Sequence, residues 1–364
     1  MLSVGVGALT AAPAAAVSGG EQAAASDAPW MVTIANKGER PLHQRAQCGG
    51  ALIAPDRVAT AGHCLDTVNP SHKELYLGGG TLSTDPGRKL EVKVYAIHGG
   101  YRTLPAEEAP WDFEKAAPAN DIAVVVLAEP VKDVTPLRIA KKSPAAGTPV
   151  TAFGHGLTAP IDPQNPEASL GDQLKRGEFK TIEDGPCDEQ LDHRVDGASV
   201  LCAQDADTGI CPGDSGGPLV ATVNRRPELV VITSFAGEIL GKGCERGIAA
   251  GFADVGALRD QLTSPRPAFA PMPDGQVTVQ GDKKPGSMLT YDAPRWTVGK
   301  PESVERKWYS ADWDSNGKPS AFYRIEDETG PKLEVSEELA AQALMCVMTA
   351  KTKGGTVELY SEVV

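Results

Sequence analysis

Residues 211–218 read Cys-Pro-Gly-Asp-Ser-Gly-Gly-Pro, which leaves Ser215 in backbone almost stripped of side chains. Glycine at 213 lets the chain turn so that the amides of Gly213 and Ser215 point at one spot, where a carbonyl oxygen under attack could carry its charge. Such a loop suits a nucleophile. The bland alternative is a glycine-rich turn with a solvent-facing serine, and the rest of the chain bears on the choice. A base stands at His63, after a strand-like run and the Ala61-Gly62 turn, within the stretch Cys48 to Cys64. A carboxylate stands at Asp121, at the mouth of the apolar run Ile122-Ala-Val-Val-Val-Leu127, which reads as a buried strand fixing its depth.

The three blocks A-T-A-G-H-C (59–64), N-D-I-A (120–123) and C-P-G-D-S-G-G-P (211–218) resemble the signatures of the chymotrypsin-like (trypsin-like) serine proteases. The order His, Asp, Ser is also that family's, not that of the subtilisins or α/β-hydrolases. The resemblance spans residues 17–264. It implies an all-β fold of two six-stranded antiparallel barrels, with His63 and Asp121 from the first, Ser215 from the second, and the cleft between them. By the same resemblance Ser215 attacks the scissile carbonyl and His63 takes and returns the proton. Asp121 orients the imidazole, and the Gly213 and Ser215 amides form the oxyanion hole.

The resemblance further implies disulfides Cys48–Cys64, Cys187–Cys202 and Cys211–Cys244, leaving Cys346 over. Val17-Ser18-Gly19-Gly20 is similar to the Ile-Val-Gly-Gly that begins mature members, so cleavage after Ala16 would place the Val17 ammonium beside Asp214. Ala152-Phe153-Gly154 looks like the family's glycine-aromatic-glycine strand end with its first glycine replaced. The specificity pocket maps to Gly209 at the base, Pro212 at the rim, and Ser234, Phe235, Ala236 and Ala250 along the walls. No charge is among them. Members that cut after Lys or Arg carry aspartate at the position of Gly209, and Ala236 stands where open pockets have glycine, so small to medium aliphatic residues are expected before the cut. A register shift of two would instead bring Asp207 to the base and restore basic specificity.

The 364 residues exceed one ordinary domain, and 41% hydrophobic with 23% charged is the balance of a globular chain with a sizeable core. A net charge of -13 argues against nucleic acid as a partner and offers no basic patch for anionic membranes. Residues 1–16 look like the apolar part of a secretory leader ending in Ala14-Ala15-Ala16, without its basic start; a merely disordered Ala-rich segment is the alternative. No other uncharged run approaches the roughly 20 residues of a membrane span. Three disulfides would imply an oxidising, extracellular setting. A metal site is the rival reading of the seven cysteines, but no C-x-x-C or H-E-x-x-H spacing occurs, so no metal or cofactor is expected. His43, His72, His98, His155 and His193 lie outside the signature blocks and receive no role.

A helix is expected near 255–263, then a proline-rich, semi-rigid spacer over 265–274. Residues 275–364 show short strand-like runs, including Gln276–Gln280, Ser287–Tyr291, Lys307–Tyr309, Ala321–Ile325, Leu344–Thr349 and Thr356–Tyr360, at the spacing of a sandwich. They resemble, more weakly, the Ig-like modules of secreted bacterial proteins. There Cys346 would pair near 291, but Tyr291 stands at that place, so Cys346 is expected to be a buried free thiol and Trp308 a core anchor. The functional expectation is a secreted serine endopeptidase acting on protein or peptide substrates, its C-terminal module tethering it to an unidentified ligand. The alternatives are a binding or adhesion protein on a catalytically weak protease scaffold, and an esterase, for which no lipid-binding lid is visible.

Overall fold

The computed structural model describes residues 17–66, 73–104, 116–161, 164–237, 243–320 and 322–364. The expected leader over 1–16 and His72 lie outside the described residues. The first sheet runs in the order Arg88–Leu90, Lys73–Leu77, Met31–Asn36, Ala46–Ala54, Arg57–Thr60, Ala123–Leu127, Val92–Ile97. By strand pairing it is a seven-stranded half-barrel rather than the closed six-stranded barrel expected. Its two edge members are halves of one segment, broken at Glu91, that pairs with Lys73–Leu77 on one side and Ala123–Leu127 on the other. The sheet therefore curls hard without closing its hydrogen-bond ladder.

The second sheet does close. Lys175–Ile182, Pro149–Gly154, Pro218–Val223, Arg226–Phe235, Ala250–Asp254 and Val200–Gln204 pair in turn, and the last pairs back onto the first. In Lys175–Ile182 the residues alternate between buried and more open positions, so Phe179 points inward and meets Phe252 edge-on at 6.4 Å. Glu21–Gln22 adds to the Lys175–Ile182 edge, so the N-terminal segment belongs to the second barrel although the first barrel follows it in sequence. Disulfides join Cys48–Cys64, Cys187–Cys202 and Cys211–Cys244. Among the described residues no helix is long and apolar enough to cross a membrane.

The C-terminal helix covers only Arg259–Thr263, shorter than expected, because the Asp254 carboxylate accepts the Gly256 and Ala257 amides and holds 254–257 as a turn. The segment 265–274 runs extended, as its prolines require, yet it is docked rather than free. Ala270 is fully buried in the core of the first barrel, and the Pro271 carbonyl accepts the Tyr95 hydroxyl at 3.3 Å. Arg57 Nη1 ties down the entrance to this segment through the Ser264 carbonyl at 2.5 Å.

Beyond it, a three-stranded sheet (Thr278–Gln280, Met288–Asp292, Lys332–Glu334) and a four-stranded sheet (Tyr323–Arg324, Ser303–Ala311, Ala343–Thr352, Gly355–Tyr360) share one core. Trp308 is wholly buried at its centre, its indole N–H donating to the Gly330 carbonyl, which is what allows so large a polar-tipped ring inside. Cys346 is a free thiol pushed up to about 11 by burial, and so chemically inert at neutral pH.

Candidate active site

Asp121 heads the buried strand Ala123–Leu127 and is itself 1% exposed. Its carboxylate takes three donors: the backbone amide of His63 on Oδ1 at 2.8 Å, His63 Nδ1 on Oδ2 at 2.7 Å, and the Ser234 hydroxyl on Oδ2. Burial pushes this carboxyl up, but the charge and hydrogen bond of the His63 ring, Ser234 and the His63 amide outweigh it and hold the group below the usual carboxylate range. With Nδ1 donating to Asp121, the His63 ring is left with Nε2 as its basic atom. His63 opens the short helix His63–Asp66, stapled to the neighbouring strand by Cys48–Cys64.

The Ser215 loop, from the second barrel, meets the segment that leads into that helix. The Ser215 carbonyl accepts the Gly49 amide at 2.6 Å, and Gly216, at φ +75°, lies so close that a methyl there would come within 2.2 Å of Thr60 Oγ1 and 3.2 Å of the Ala61 amide. Thr60-Ala61 is the segment that leads into His63, so the serine is held against the histidine's own approach. Ser215 is half-buried, and Gly213 takes φ +95° one residue before the buried Asp214.

The Asp214 carboxylate accepts the Gly156 amide at 2.9 Å and the Cys211 amide at 3.0 Å. A methyl on Gly154 or Gly156 would intrude on it at 2.1 and 2.5 Å. The glycine pair around Asp214 is thus Gly154 and Gly156 with His155 between them, not Ala152-Phe153-Gly154 as expected. Phe153 instead meets Trp30 edge-on at 5.3 Å. His155 is buried between the barrels, with Thr33 Oγ1 at 3.4 Å from Nδ1 and the Gly80 carbonyl at 3.2 Å from Nε2.

Val17 is wholly buried at φ +51° and packs on Gly177. The next residue, Ser18, accepts the Gly209 amide at 2.9 Å. Gly209 is pressed against the Glu245 carbonyl, where a methyl would sit at 2.3 Å, and Phe235 lies over Gly251. Ser234, Phe235, Ala236 and Ala250 are buried, and Pro212 is exposed. The Ser234 hydroxyl is turned to Asp121. Asp207 is exposed on an outer turn capped by the Asp205 carboxylate, which accepts the amides of Asp207 and Thr208.

Cys48, His63 and Cys64 offer ligand atoms within 4.8 Å of one another, but both sulfurs are joined in one disulfide and neither is a thiolate able to bind metal. Sequence reasoning also missed Ser199, whose hydroxyl accepts the Asn120 amide at 2.9 Å and donates to Asp196, bracing the residue before Asp121 from the second barrel. A lone serine in a polar loop gives no signal of this. Ser234 did give one, since a hydroxyl inside the apolar run 229–235 must find a partner.

A family model for trypsin matches residues 17–259. This chain belongs to the trypsin family. Among its relatives, a trypsin of Sarcophaga bullata is 31% identical, covering 59% of this chain and 77% of that protein. A trypsin of Saccharopolyspora erythraea is 31% identical over 68% of this chain and 96% of that protein, and trypsin iota of Drosophila melanogaster 30% identical over 67% and 85%. The trypsin-family chain is accordingly a serine endopeptidase, and the described module beyond the matched residues is additional to that unit.

Burial pushes the His155 imidazole down to about 4, while its unfolded value stays near 6.5. The unfolded chain therefore takes up the proton first, and stability falls as the pH drops from 6.5 through 4. Relative to His155→Phe, the wild type should lose about 3 kcal/mol between pH 7 and pH 4, read as the difference in urea-unfolding free energy. Parallel pH profiles for the two proteins would show that the seam tolerates the charge.

Proposed function

We propose that the chain is a secreted serine endopeptidase in which Ser215, His63 and Asp121 act as nucleophile, general base and orienting carboxylate. The observation that carries the reading is the doubly held histidine: Asp121 grips both the ring and the backbone of His63 while the Ser215 loop packs on the segment leading to it. His63 Nε2 accepts the Ser215 proton as Oγ bonds to the scissile carbonyl carbon, and then gives it to the leaving amine. The carbonyl oxygen takes the negative charge, which the amides of Gly213 and Ser215 stabilise. Water repeats the cycle on the acyl-enzyme.

The pocket reading follows from the same residues. Gly209 brings no side chain to the base, Ala236 and Ala250 add methyls to the walls, and Asp207 lies on an outer turn. These features support small to medium aliphatic residues before the cut. The region 275–364, two sheets on one core, suits an Ig-like accessory module that binds a further ligand.

Activation would come with removal of residues 1–16. Val17 is β-branched and its φ of +51° costs about 1–2 kcal/mol, but that torsion exists only while residue 16 is attached. Hydrolysis of the 16–17 bond removes the strain and frees an ammonium that can turn toward Asp214, so leader removal would itself switch the enzyme on.

Three measurements test these statements. Fluorophosphonate should label Ser215 in the wild type and not in His63→Ala, whose kcat/KM should fall by on the order of 10^6-fold. Equal labelling of both would leave a binding scaffold as the better account. Peptide-library digestion should show Ala, Val, Leu or Thr before the cut, whereas Lys and Arg would overturn the pocket assignment. Extending the mature protein by three residues before Val17 should lower activity at least about 100-fold, since an ordered oxyanion loop is worth that much. Full activity in the extended protein would defeat the activation proposal.

A further inference from the structure

We propose that the turn Thr352–Gly355 of the C-terminal module is a positioning element for the His63–Asp121 pair, which makes the module a working part of the catalytic unit as well as a tether. The inference rests on the triad reading above and adds a group of residues far from it in sequence. The turn joins two neighbouring strands of the module, Ala343–Thr352 and Gly355–Tyr360, and it is seated on the first barrel.

Three close contacts hold it against the first barrel and the segment that leads out of it. A methyl on Gly354 would lie 2.1 Å from the Ala268 carbonyl, one on Gly355 would lie 2.9 Å from Ile97 Cβ, and one on Gly99 would lie 2.4 Å from the Lys353 carbonyl. Glycines thus occur on both sides of the seam, where any side chain would force the two bodies apart. The buried Thr352 hydroxyl locks the turn, donating to the Phe269 carbonyl and accepting the Gly354 amide at 3.1 Å. Gly355 sits at φ +142°, a conformation that only glycine takes readily.

From the turn to the catalytic carboxylate there are two layers. Ile97, on which Gly355 lies, is wholly buried and pairs with Ala123 in the strand that Asp121 heads; the next amide, His98, donates to the Ile122 carbonyl at 2.9 Å. Gly62, immediately before His63, fits between them: a methyl there would be 3.2 Å from both Ile97 Cγ2 and Asp121 Oδ1. The strand Gly355–Tyr360 also approaches the helix His63–Asp66 itself. The module therefore backs the Ile97 layer against which Gly62 and the catalytic pair are packed. Because two of the contacts, at Gly354 and Gly99, are backbone against backbone, they give little under load.

The test uses the full mature chain as Thr352→Val, Thr352→Ser and Gly99→Ala, with rates on a small peptide anilide normalised to active sites titrated by fluorophosphonate, so that misfolded molecules do not count. Thr352→Val and Gly99→Ala should lower kcat about 10-fold with KM within about twofold, as a displacement well under 1 Å of one catalytic group would. The acidic limb of their kcat profile should move to lower pH, because a loosened Asp121 supports the charged imidazole less. Thr352→Ser, which keeps the hydroxyl, should behave as the wild type. Unchanged kcat and pH profile in both damaging variants would show a simple tether and overturn the proposal while leaving the protease reading intact. A wild type that fluorophosphonate does not label would remove the reading on which the proposal stands.

Discussion

A carboxylate cannot be taken out of water alone. Asp121 is 1% exposed, and the cost of burying that charge, several kcal/mol at least, is met only where donors from both barrels converge on it. His63 approaches from the first barrel with ring and backbone, and Ser234 approaches from the second with its hydroxyl. The two sheets must therefore meet at this point and in this orientation. Asp214 imposes a second such constraint a short way along the cleft, with the Gly156 and Cys211 amides as its donors. Asp121 thus fixes how the second barrel sits on the first, Asp214 orders the second barrel's own loop beside Ser215, and the geometry available to Ser215 follows from both.

What could be read from residues 59–64, 120–123 and 211–218 is what the chemistry restricts most tightly. A loop that brings two amides to one point needs glycine, and a carboxylate of fixed depth needs an apolar strand behind it. The apolar run 122–127 is equally plain, because a strand covered on both faces reads as a continuous apolar stretch. The break at Glu91 was not visible, since an acidic residue between strand-like runs is equally consistent with one long bent strand. His155 carries no such mark, since a histidine between two glycines is also what an ordinary surface turn would show. The steric demand of the Asp214 carboxylate on residues 154 and 156 becomes apparent only in three dimensions.

The proline-rich segment shows a different limit. Composition establishes that 265–274 is extended, because proline fixes its own φ and denies a helix. Composition does not say whether an extended chain has a surface to lie on. Ala270 is small enough to enter the first barrel's core, and the Pro271 carbonyl faces the buried Tyr95 hydroxyl, which requires a partner. A spacer becomes a seam through these two side-chain coincidences, and with it the module loses the freedom that a linker would have left.

That loss of freedom alters what an added domain can contribute. A domain on a loose linker raises the local concentration of a target and leaves the chemistry at the first domain untouched. A domain anchored through Thr352, Gly354 and Gly355 on Ile97 and Gly99 shares a mechanical boundary with the residues behind His63. Any ligand that shifts the Ala343–Thr352 and Gly355–Tyr360 hairpin would act on that boundary, and coupling between the two sites would be reciprocal: substrate settling in the cleft would alter the module's affinity by the same factor. The glycines on the two sides of the seam are therefore the places where a trypsin-family unit and its C-terminal module cease to be independent bodies.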